Sequence, residues 1–75
     1  MVQFTNIRSD ENYIYADAED MDAKRKFKVK DSKNEDKFET LPSNFTYAVG
    51  MAIWGMVDKY EKSGCKITHC SIVWG

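Results

Sequence analysis

The chain has 75 residues, 31% of them charged, with a net charge of −1, two cysteines and one histidine. That length allows a single domain, 1–75, which buries roughly 60% of the surface its unfolded form exposes. The near-neutral balance argues against gross attraction to nucleic acid or to a membrane, and two cysteines are too few for a disulfide framework.

The charge is unevenly placed. Residues 1–23 carry one positive and six negative side chains, residues 24–37 seven positive and three negative, and residues 38–75 three of each. The N-terminus MVQFTNIRSDE has no basic segment followed by an apolar run, so it does not read as a secretory signal. The expected location is the cytoplasm, with both thiols reduced.

Three strand patterns come first. In 2–7, Val2 and Phe4 share a face, and Arg8-Ser9-Asp10-Glu11 reads as a loop. In 12–18, Tyr13, Tyr15 and Asp17 alternate with Ile14, Ala16 and Ala18. In 24–30, Lys24, Lys26, Lys28 and Lys30 alternate with Arg25, Phe27 and Val29. Period-two alternation of this kind marks strands with one wet face. A hairpin turn centred on Asp20 and Met21 would set Ile14 opposite Phe27, Tyr13 opposite Lys28, Tyr15 opposite Lys26 and Asp17 opposite Lys24.

A polar connection over 31–42 ends at Leu41-Pro42, and Ser43 is the expected N-cap of a helix of about 20 residues. Lys59 and Lys62 fall in its last turn, and Gly64 stands where a left-handed C-terminal cap is favoured. A last strand, rich in β-branched residues, is expected over 66–74, either central in the sheet or paired with a second chain. The order β-β-β-α-β implies an α+β domain, with one mostly antiparallel sheet and one helix across it.

The helix is the most unusual segment. From Phe45 to Val57 it is a 13-residue apolar run, short of the roughly 20 residues needed to span a bilayer, so no membrane association is expected. At 100° per residue, Phe45, Val49, Ala52, Ile53, Met56 and Tyr60 form one stripe, the expected core face. On the opposite side lie Tyr47, Met51 and Trp54, flanked by Gly50 and Gly55. Each helical glycine costs about 1 kcal/mol relative to alanine, which points to something approaching the backbone closely. Trp, Tyr and Met are enriched at the cores of interfaces. Tyr47, Gly50, Met51 and Trp54 are therefore the expected contact set for a protein partner or a second copy. The same stripe could instead be covered by the 31–42 connection or by Trp74.

A second surface is the wet face of the sheet. Tyr13, Tyr15, Lys24, Lys26, Lys28 and Lys30 interleave rings with cations, the physical logic of a platform that stacks bases and tracks phosphates. Against it, the carboxylates of Asp17, Glu19, Asp20 and Asp22 cluster near the hairpin tip and repel phosphate. A solvated face on which lysines block edge pairing accounts for the same pattern.

Catalytic and metal chemistry is sparse. Cys65, His69 and Cys70 suggest soft-metal ligands, yet an extended strand would hold Cys65 and His69 about 13 Å apart and turn Cys70 to the other face. The same geometry separates His69 from a cysteine nucleophile and keeps the two thiols, roughly 17 Å apart, from bridging. The acidic run 17–22 lacks the glycine and terminal glutamate of a calcium loop. No cofactor, metal or catalytic residue is expected. The sequence reads as a non-catalytic protein-interaction module working as a homodimer, with a small nucleic-acid-binding protein as the alternative.

Overall fold

The computed structural model describes residues 1–32 and 47–73. Among these residues, four strands form one antiparallel sheet: β1 (Val2–Ser9), β2 (Tyr13–Asp20), β3 (Arg25–Ser32) and β4 (Cys70–Ile72), in the order β3-β2-β1-β4. The helix α1 (Tyr47–Lys62) precedes β4 and lies against β1 and β4. The chain is the α+β domain expected, in the order β-β-β-α-β. The expected N-cap, Ser43, and most of the 31–42 connection lie outside the described residues. Asp31 and Ser32 belong to β3.

The alternation in β2 is kept without exception: Ile14, Ala16, Ala18 and Asp20 are buried, while the odd-numbered residues between them are partly exposed. Of the expected core stripe of the helix, the first member, Phe45, lies outside the described residues, and Val49, Ala52, Ile53, Met56 and Tyr60 are all buried on α1. They pack with Val2, Phe4, Ile7, Ile14 and Val29 from the sheet. The helix ends in a Schellman motif. The Cys65 amide donates to the Tyr60 carbonyl at 2.9 Å, the Gly64 amide donates to Glu61 at 3.0 Å, and Gly64 takes φ +75°.

The hairpin keeps the expected faces but not the expected register. Asp17 pairs with Lys28, Tyr15 with Lys30, Ala18 with Phe27 and Asp20 with Arg25. The turn therefore falls at 21–24. Asp20 fixes it, because its carboxylate accepts the amides of Asp22 and Ala23 at 3.1 and 3.3 Å. Lys24 closes the turn at φ 52° and is not in a strand. The register differs by an even number of residues, so every side chain stays on its expected face.

The last strand is a correction of a different kind. Among the described residues it is neither central nor long: β4 has three residues and pairs only with β1, through Val2–Ile72, Gln3–Ser71 and Phe4–Cys70. The Ser63 hydroxyl draws in the amides of Lys66 and Ile67 at 3.1 and 3.3 Å, so residues there that favour strands are held in a turn instead. Cys65 is likewise no strand residue; it follows the helix cap at φ 62°.

β1 carries a bulge. Thr5 pairs with Asp17 and Arg8 with Tyr15, so β1 spends three steps where β2 spends two. Asn6 takes the left-handed conformation at φ 53°, one that asparagine tolerates better than most residues. The extra residue switches the strand's phase, so Val2, Phe4 and then Ile7 all point into the core. Asn6→Val is expected to destabilise the domain by about 1–2 kcal/mol and Asn6→Gly to be neutral or stabilising, because a β-branched residue resists this φ and glycine does not. Chemical denaturation of the two variants checks the opposite signs.

Candidate functional site

The wet face of the sheet is a set of cross-strand rows. Gln3, Glu19 and Lys26 form one, Thr5, Asp17 and Lys28 the next, and Arg8, Tyr15 and Lys30 the third. The first two rows line a shallow, solvent-open trough of about 470 Å³. In each, a carboxylate of β2 sits opposite a lysine of β3. The Lys28 ammonium is 3.6 Å from Asp17 Oδ1, with Lys28 itself largely in solvent.

The tyrosines are engaged in the same way. Lys30 Nζ lies 4.1 Å above the Tyr13 ring and the Arg8 guanidinium 5.3 Å from the Tyr15 ring, both within cation–π range. The two rings stand tilted, 6.1 Å apart. Tyr15 donates its phenol to Asp10 Oδ2 at 2.8 Å, a bond that, with partial desolvation, pushes the phenol above its ordinary pKa. Asp10 also accepts the amides of Asn12 and Tyr13 at 2.8 Å each, which closes the β1–β2 turn.

Of the six residues expected here, Tyr13, Tyr15, Lys26, Lys28 and Lys30 do share one face. Lys24 is exposed in the turn beyond it. The sequence reading missed Arg8 and Asp10, which it placed in a loop. The bulge at Asn6 is what brings Arg8 onto the Tyr15 row, and that bulge was signalled only by the phase break between Phe4 and Ile7. These contacts make the face electrostatically self-compensating, since lysines meet carboxylates and ring faces meet cations of the same chain.

The helix stripe is different. Met51 is 47% and Trp54 50% exposed, whereas the other large apolar side chains described on α1 are buried or packed against the core. Tyr47 opens the helix. Gly50 is buried. Gly55 explains its own absence of a side chain: a Cβ there would lie 3.2 Å from Ile72 Cδ1, so the close approach expected at a helical glycine is made by β4. Residues 33–42 and Trp74, the alternative cover for the stripe, lie outside the described residues.

Cys65 is exposed and Cys70 half-buried, and both are free thiols. Burial raises the Cys70 pKa, offset in part by the charge of Lys59, which disfavours a reactive thiolate. Among the described residues, no three His, Cys, Asp or Glu side chains come together as a metal site, and no helix is long and apolar enough to cross a membrane. Comparison with known proteins finds no family model, no curated protein and no solved structure that matches this chain.

Proposed function

We propose that this domain is a small non-catalytic protein-interaction module of the cytoplasm, acting as a homodimer and holding another protein against the outer stripe of α1. The observation that carries the reading is the pair Met51 and Trp54, each about half exposed on a helix whose opposite face is fully buried. Large apolar side chains of these types supply most of the binding energy where they anchor an interface. Mutual neutralisation of the wet sheet face supports the same choice. A phosphate backbone would have to displace the carboxylates already facing Lys26 and Lys28, and a base would have to displace the cations over Tyr13 and Tyr15.

Trp54→Lys tests the partner surface. The side chain is half in solvent, so the variant is expected to fold with an unchanged circular dichroism spectrum. A protein retained by the immobilised wild type should be lost from the variant, with affinity reduced at least thirtyfold, the loss of a 2 kcal/mol anchor. Equal retention by both would overturn the assignment.

A further inference from the structure

The two ends of the sheet are built differently. β3 carries Lys26, Lys28 and Lys30 at alternate positions, which is how natural sheets block unwanted strand addition. At the other end β4 is the edge, and the run Ile67-Thr68-His69-Cys70-Ser71-Ile72-Val73 contains no acidic residue, lysine, arginine or proline. Among the described residues no strand pairs with the outer side of β4. Ser71 is exposed and Val73 is 72% exposed, the most exposed large apolar side chain described.

We infer that the outer edge of β4 is where a second copy of this chain adds, antiparallel, so that two four-stranded sheets join across a two-fold axis. The inference rests on the self-association proposed above and gives it a location. A second copy is the occupant the charges favour. Two β4 edges meet without setting like charges against each other, whereas two β3 edges would set lysine against lysine. An antiparallel pair of identical strands is also the arrangement that closes as a dimer instead of propagating.

A ladder of three or four residues falls short of the roughly 1,200 Å² of a stable interface, so the flanking helix must contribute. It is placed to do so. A Cβ at Gly55 would lie 3.2 Å from Ile72 Cδ1, so α1 runs directly beside this edge. Met51 and Trp54, on the outer stripe of the helix, stay with the other protein.

The test compares molar mass by light scattering across a concentration series for wild type, Trp54→Lys, and a double variant Ser71→Lys/Val73→Lys. Both edge positions are exposed, so the double variant should keep its fold, checked by circular dichroism. The expected result is twice the 8.7 kDa chain mass for wild type and Trp54→Lys, and the single-chain mass for the edge variant. Hydrogen exchange of wild type supplies a readout that needs no variant, since the amides of 70–73 should slow as concentration rises through the dimer transition. A dimeric edge variant would overturn the β4 assignment and leave self-association standing. A wild type that is monomeric at every concentration would overturn both.

Discussion

Phe4→Ala is expected to leave the domain largely unfolded, or close to it, at room temperature. Phe4 is fully buried on β1, paired with Ala18 on one side and Cys70 on the other, so it packs where both flanking strands and α1 converge. Truncating a phenylalanine in such a site costs about 3–5 kcal/mol. A chain of this length has a total stability of roughly 4–11 kcal/mol, with small domains towards the lower end. Urea denaturation followed by circular dichroism should place the midpoint of the variant at least about 2 M below wild type. Met51→Ala is the control. Its side chain is half in solvent, and the change should stay within about 0.5 kcal/mol. Equal losses for the two variants would mean that the core is not centred on β1.

Tyr60→Ala should come next in size, at about 3–5 kcal/mol, with Tyr60→Phe costing only about 1 kcal/mol. Tyr60 is 4% exposed and its ring belongs to the core. Its hydroxyl is 2.9 Å from Ser9 Oγ, tying the last turn of α1 to the end of β1. Its carbonyl accepts both the Cys65 amide and the Ser63 hydroxyl, but those bonds use backbone atoms and survive either substitution. The difference between the two variants thus separates ring burial from the hydroxyl bond. If phenylalanine costs as much as alanine, the hydrogen bond and not the packing holds the helix end.

What could be read from the chain follows from which physical signal each feature has. The helix core stripe from Val49 to Tyr60 and the faces of β2 and β3 are fixed by periodicity, and there the reading and the structure agree, apart from Lys24, which falls in the turn. Register has no such signal. Sliding β3 by two or four residues leaves every face intact, and only the Asp20 side chain, folding onto the amides of 22 and 23, selects one alignment. The short β4 escaped for a related reason. Its residues favour a strand, but one serine hydroxyl upstream holds the amides of Lys66 and Ile67 in a turn. At the candidate surfaces, the exposure of Met51 and Trp54 was legible from the helical pattern. The pairing of cations with rings was not, because it depends on the true register and on the bulge that places Arg8.

That bulge also bears on how the chain can vary in length. With Asn6 present, Ile7 faces the core; with Asn6 removed, regular alternation would set the same isoleucine opposite Ala16, again facing inward, and would keep Arg8 opposite Tyr15 and Ser9 opposite Ile14. Position 6 is thus a neutral point for the loss of a residue. A residue gained or lost between Val2 and Phe4 would swap inside for outside along part of the strand, whereas one lost here changes only the local bend. Shortened variants of this chain that stay folded should collect at Asn6, a tolerance set by the parity of the strand and not by the chemistry of any side chain.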